Sequence, residues 1–135
     1  MKKVMTFGSF DILHEGHKHY LMEAQGFGDY LIVVVARDSN ILKFKGRNPK
    51  NDENYRLEQV KKLYFVDEAV LGDKEDILKV LEKYKPESIC MGYDQRTIHE
   101  NELKKTLEEK GIKAEIVRAK PYKENIYKSS KLKNM

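Results

Sequence analysis

The 135-residue chain predicts an α/β fold, a doubly wound parallel sheet of five strands in the order 3-2-1-4-5. Three observations carry that expectation. Short apolar runs alternate with segments of helical periodicity, and strand, helix, strand repeated in this way implies right-handed crossovers and a parallel sheet. The second run, Tyr30-Leu31-Ile32-Val33-Val34-Val35-Ala36, is continuous and β-branched, as a strand buried on both faces requires. Glycines and charged residues gather directly after the apolar runs, at the carboxyl edge where open α/β sheets bind ligands.

Lys3 to Phe7 is a short apolar strand, and Glu15 to Ala24, with Tyr20, Leu21 and Ala24 on one side, is an amphipathic helix. Between them runs Gly8-Ser9-Phe10-Asp11-Ile12-Leu13-His14-Glu15-Gly16-His17. A strand-to-helix bend of this kind points unpaired N–H groups and the positive end of the helix dipole at one spot, which suits phosphate. Gly8 and Gly16 let a ligand approach the backbone, and His14 and His17, three apart, share one face of the first turn. A capping or packing role is the plainer reading of either histidine; the pair's setting among glycines directly after a strand favours a ligand. Zinc is the other functional reading of His14, His17 and His19. The helical His pair at i, i+4 with a Glu is missing, and Cys90 alone cannot complete a tetrahedral set.

Gly26-Phe27-Gly28-Asp29 stops this helix, and the second strand ends in Arg37-Asp38. Charges at a strand's carboxyl end are ligand candidates, or else a solvated strand terminus. Asn40 to Asn54 carries Lys43, Lys45, Gly46, Arg47, Pro49 and Lys50 with little apolar content, and predicts a basic loop that works as a flap. Glu53 to Leu63 is helical through Leu57, Val60 and Leu63, with Asp52 able to cap it. Arg56, near its start, either reaches phosphate or pairs at the surface with Asp52 or Glu53.

Glu68 to Leu71 is the third strand, and Lys74 to Lys85 a helix with Ile77, Leu78 and Leu81 inward, stopped by Pro86. Ser88 to Met91 is the fourth strand, Asn101 to Lys110 a helix stopped by Gly111, and Ala114 to Val117 the fifth strand. In the expected order the crevice opens between the first and fourth strands. Ser9, Phe10, His14 and His17 then face Gly92, Tyr93, Asp94 and Gln95. In the tail, Tyr122 and the pair Ser129-Ser130 add candidate contacts, the serines as hydroxyl and backbone donors before a short helix.

Composition sets the bounds. Residues 1–135 suffice for one domain with a real core and are too few for two. With 40% hydrophobic and 36% charged residues the chain reads as soluble and globular. No apolar run approaches the roughly 18 residues of a membrane span, and the start lacks a signal peptide's apolar stretch, so no membrane partner and a cytoplasmic location are expected. The single cysteine, Cys90, excludes an internal disulfide framework and fits a reducing compartment. The net charge of +4 comes from dispersed lysines with no Arg-rich recognition helix. Anionic small molecules therefore fit better than nucleic acid.

The stretch Gly8 to His17 resembles the G-T/S-F-D-x-x-H-x-G-H signature of the cytidylyltransferase-like nucleotidylyltransferases along its whole length. The resemblance implies a Rossmann-like nucleotidyltransferase fold and transfer of a nucleoside monophosphate from ATP or CTP to a phosphorylated acceptor, with pyrophosphate released and Mg²⁺ assisting. It implies that His14 and His17 contact the nucleotide phosphates and stabilise the transition state, with Ser9, Phe10, Glu15 and Gly16 of the same motif at the nucleotide. Lys45, in Lys45-Gly46-Arg47, resembles the lysine of a loop that closes over the phosphates. Gly92 and Asp94 resemble the Gly-x-Asp segment beside ribose and base. Tyr122, Ser129 and Ser130 stand near the family's late Ile-Ser-Ser/Thr signature, from which this chain departs in having Tyr127-Lys128 before the serines and Lys131 after them. Asp11 is assigned to orienting the histidines or the metal's water shell, and Asp38 and Arg56 to the acceptor or to support. No carboxylate cage for a metal is legible, and a homodimer is implied by the resemblance alone.

Ala36-Arg37-Asp38, Lys45-Gly46-Arg47-x-Pro49, Val70-Leu71-Gly72, Gly92-x-Asp94-Gln95 and Ile116-Val117-Arg118 followed by Tyr122-Lys123 look most like the archaeal FAD synthases, which transfer AMP from ATP to FMN. Glycerol-3-phosphate cytidylyltransferases usually carry Gly-Asp-Asp-Trp after the fourth strand. Here Tyr93-Asp94-Gln95 stands there, and the chain has no Trp. That cytidylyl transfer is the alternative, followed by a sugar-phosphate nucleotidyltransferase of the lipopolysaccharide-precursor type. A non-catalytic nucleotide-binding module is the alternative of another class, and retention of both histidines argues against it.

Overall fold

The computed structural model describes residues 1–11, 13–92 and 100–120. Its strands are β1 (Lys3–Gly8), β2 (Tyr30–Val35), β3 (Glu68–Leu71), β4 (Ser88–Met91) and β5 (Glu115–Arg118). All pair in parallel, in the order β3-β2-β1-β4-β5. This is the expected order, and β-branched β2 holds an interior place, with Leu31 to Val35 all buried.

The helices are α1 (Glu15–Gln25), α2 (Asp38–Lys45), α3 (Glu53–Lys61), α4 (Val80–Tyr84), entered through a 3₁₀ turn at Ile77–Lys79, and α5 (Glu100–Glu109). Successive strand residues divide between two cores, because side chains alternate across a sheet. Val4, Leu31, Val33, Val35, Ala69 and Cys90 pack with Leu21 and Ala24 of α1 and Val60 of α3. Met5, Phe7, Ile32, Val34, Ile89 and Met91 pack on the other face with Leu78, Leu81, Leu103 and Leu107. The winding therefore reverses between β3 and β4, and the chain crosses to the far side of β1 there.

Two local expectations are corrected. The segment read as a basic loop from Asn40 begins as α2. Asp38 lies in its acidic first turn, Asn40 and Ile41 are buried, and Gly46 closes it in the left-handed conformation at φ 72, so only two inward residues mark it among lysines. The helix expected over Lys74 to Lys85 is shorter, because Asp73 draws the N–H groups of Glu75 and Asp76 into a turn and Asp76 caps the 3₁₀ turn. The side chain of Ile77 lies outside the described residues.

Gly28 joins α1 to β2 by passing against the start of β1. The N–H groups of Asp29 and Tyr30 both donate to the Lys2 carbonyl, and a Cβ on Gly28 would stand 2.7 Å from that oxygen. Backbone blocks the space, so Gly28→Ala is expected to destabilise the protein by about 1–3 kcal/mol. Urea unfolding should show a lower midpoint with turnover per folded molecule unchanged.

Candidate active site

The carboxyl ends of the strands are level. Ala36 N–H donates to the Gly8 carbonyl and Gly72 N–H to that of Val35. Val4 is opposite Ser88 and Met5 opposite Ile89, a register that carries Gly92 level with Gly8. Gly8 and Gly92 thus flank the expected crevice, and Arg118 donates to the Gly92 carbonyl at 2.8 Å.

After Gly8 the chain bends through Phe10, which is buried although its φ is 51°. A bulky L-residue in the left-handed region costs roughly 1–2 kcal/mol, so its neighbours must hold it. Its ring lies against Gly8, where a Cβ would stand 2.7 Å from Cε2 and Cζ; any side chain at Gly8 would evict the ring. On its other side the Phe10 ring meets His17 edge to face, centroids 5.5 Å apart. His17 stacks on His14 at 3.9 Å.

The two histidines also build the start of α1. His14 is the N-cap residue, and its Nδ1 accepts from Gly16 N–H at 3.0 Å, while His17 Nδ1 accepts from His14 N–H at 3.4 Å. This is the reciprocal logic of a capping box, made here from imidazoles. Of the amides expected unpaired at the bend, that of Gly16 is taken by His14. An Nδ1 that accepts cannot also carry the proton of a neutral ring, so that proton sits on Nε2 in both. Both imidazoles therefore stand at the positive end of the α1 dipole. Burial lowers the His14 pKa from its ordinary value, against a smaller upward pull from Glu15.

Behind the bend lies a polar network. Asp11 accepts from Lys50 N–H and Asn51 N–H, both at 2.9 Å, and its carbonyl accepts from the Asn51 side chain at 2.6 Å. Both carboxylate oxygens thus pin the loop before α3. Arg56 neither reaches phosphate nor sits at the surface. It is 0% exposed, donating to the carbonyls of Asn51, Ser9 and Ala36 at 2.7–2.9 Å and to Asp38 at 2.6 Å. Asp38 is thus the partner of Arg56. Glu53 accepts from Arg37 and from Asp38 N–H; burial pushes its carboxyl up, but those bonds outweigh it and hold the pKa below the usual range.

Of the other candidates, Glu15 is exposed and pairs with Lys18, and Lys45 is exposed at the last residue of α2. Asp94, Tyr122, Ser129 and Ser130 lie outside the described residues. Asn51 and Glu53 escape sequence reasoning because their partners are distant in the chain. Among the described residues no three His, Cys, Asp or Glu side chains gather as a metal site. A separate open groove of about 450 Å³ lies beyond the end of β3, lined by Arg37, Leu71, Gly72, Asp73, Lys79, Val80, Glu82 and Lys83, and it includes neither histidine.

A parallel sheet with a histidine-capped helix at its carboxyl edge defines a nucleotide-binding α/β protein. The cytidylyltransferase-like family model matches residues 5–135, and the chain belongs to that family. It is 51% identical over 118 residues to an FAD synthase of Ferroglobus placidus, covering 87% of this chain and 76% of that one. It is 45% identical over 130 residues to an FAD synthase of Thermoplasma acidophilum, covering 96% and 90%. A solved structure from Thermoplasma volcanium, described as a lipopolysaccharide core biosynthesis protein, superposes with a TM-score of 0.84 at 46% identity, over 90% of this chain and 98% of that one.

The cap predicts a pH signature. Because the His14 pKa is lowered in the folded protein, its contribution to stability is complete above pH 6.5, where both states are neutral. It is lost as pH falls below 6.5, since the unfolded chain takes up the proton first. Unfolding free energy measured between pH 7.5 and 5 should fall more steeply for the wild type than for His14→Asn, which keeps a capping acceptor that does not titrate.

Proposed function

We propose that the protein joins the AMP of ATP to FMN, forming FAD and releasing pyrophosphate. A phosphate oxygen of FMN attacks the α-phosphorus of ATP, a P–O–P bond forms, and the bond to the pyrophosphate oxygen breaks in line. Such a reaction needs alignment and charge stabilisation more than a covalent nucleophile.

The observation that carries the reading is the stacked pair His14 and His17, each with Nδ1 turned to backbone. Both rings then offer Nε2–H to phosphate oxygens as charge shifts from the α-phosphorus to the leaving group. Lys45 keeps its proposed role toward pyrophosphate on sequence alone, and the register that sets Gly92 level with Gly8 supports a place beside the nucleoside for Gly92. Ser9, Phe10, Glu15 and Gly16 form or flank the phosphate-facing bend. Asp94, Tyr122, Ser129 and Ser130 keep their proposed nucleotide contacts on sequence alone.

A divalent cation, Mg²⁺ for preference, enters with the triphosphate, where it needs few protein ligands and keeps most of its waters. Among the described residues no three His, Cys, Asp or Glu side chains gather as a cage for it. FMN is favoured as acceptor by the FAD synthase relatives. A sugar-phosphate acceptor is the second reading, favoured by the description of the Thermoplasma volcanium structure. A cytoplasmic homodimer completes the proposal.

Protein given ATP or CTP with FMN, glycerol 3-phosphate or a sugar 1-phosphate, and assayed for pyrophosphate, is expected to respond to ATP with FMN and to yield FAD. Release with another pair and not with this one would reassign the acceptor, and release with none would leave a binding module. His17→Ala is expected to lower kcat by about 10²-fold or more; an unchanged kcat would remove His17 from the chemistry.

A further inference from the structure

We propose that Arg56 is a positioning residue for the reaction, holding the Ser9–Phe10 bend and, through the Phe10 ring, the His17 imidazole. The bonds around Phe10 close a ring. Arg56 Nη1 holds the Ser9 carbonyl on one side of Phe10, and Asp11 on the other side takes the N–H groups of Lys50 and Asn51. Arg56 Nε returns to the Asn51 carbonyl. A left-handed Phe10 is therefore fixed at both flanking residues by one closed circuit.

The same guanidinium reaches the end of β2 through the Ala36 carbonyl and the start of α2 through Asp38. Four acceptors from four segments converge on one side chain. An ammonium has three donors on a single point, whereas the guanidinium presents five in a flat fork, so lysine would keep the charge beside Asp38 and lose the fork. Phe10 transmits the constraint, because its ring has Gly8 behind it and His17 in front. A bend released by loss of the Ser9 bond lets the ring move away from His17, and with it the nitrogen whose placement governs transfer. Displacements near 1 Å can cost on the order of 10²-fold in rate.

The inference rests on the assignment of His17 to phosphate, and its test separates the two. Arg56→Lys in the full chain, labelled with ¹⁵N-histidine, is read by imidazole NMR and by kcat and KM for ATP and FMN. The expected result is a His17 signal shifted toward mixed tautomers, with kcat lowered about tenfold or more and KM moved much less. Phe10→Leu should do the same, and the double variant should lose little beyond the larger single effect, because both act through one bend. An unchanged His17 spectrum, or additive losses in the double variant, would overturn the proposal whatever the activity. A shifted spectrum with full kcat would instead remove His17 from the chemistry and the positioning role with it. Should Arg56→Lys fail to fold, Asp11→Asn opens the same ring from the loop side, and an unmoved His17 spectrum there overturns the proposal equally.

Discussion

The carboxyl edge of this protein depends on one buried positive charge. Taking a guanidinium out of water costs several kcal/mol, and the cost is offset only when its donors find acceptors. Arg56, with no exposed surface, finds three carbonyls and a carboxylate. Those acceptors belong to the bend after β1, the end of β2, the first residue of α2 and the loop before α3. Each of these irregular segments would leave a polar backbone group in a poor environment without it. The arginine thus stabilises the site's geometry more than the sheet's core, which is complete without it in two apolar layers.

A second economy lies in the histidine pair. A helix start needs acceptors for its first N–H groups, and a phosphate site needs donors at the same place. Serine or aspartate at the cap would satisfy the first need and present an acceptor or a negative charge to the ligand. Imidazole can satisfy both, since Nδ1 accepts from the helix and the ring keeps a second nitrogen as a donor. Stacking at 3.9 Å is tolerable for two neutral rings and unfavourable for two cations, so the lowered His14 pKa and the stack belong together. Burial and the stack both disfavour a proton on His14.

The sheet was legible because its signals are local. A continuous β-branched run such as Tyr30 to Val35 has few alternatives to an interior strand, and alternation with helices leaves few topologies. The histidine bend was legible for the same reason, being a contiguous motif. The parts that escaped are bonded over distance: Arg56 to Ser9 spans 47 residues and Asp11 to Asn51 spans 40, and no window of sequence sees both ends. Arg56 on a helix with three polar neighbours reads as a surface residue until the strands bring the carbonyls to it. The α2 helix was hidden differently, since only Asn40 and Ile41 turn inward and its end carries Lys43 and Lys45 at the start of a lysine-rich stretch.

These two kinds of interaction divide the labour of the site. The histidine bend is closed on itself: its Nδ1 atoms are spent on α1, its ring stack is backed by Phe10 and Gly8, and its carbonyls and carboxylate are spent on Arg56 and the loop before α3. On the proposed reading that unit meets phosphate oxygens, a feature common to a flavin phosphate and a smaller phosphorylated alcohol. Selectivity for the acceptor's body must come from elements at the same edge whose side chains remain exposed. Among the described residues Leu42, Lys43, Phe44 and Lys45 of α2 are exposed, apolar and cationic by turns. Within α2 it is Asp38 that anchors Arg56 and so helps to hold the Phe10 bend, whereas the exposed residues beyond it stand outside the ring of hydrogen bonds through Arg56, Asp11 and Asn51.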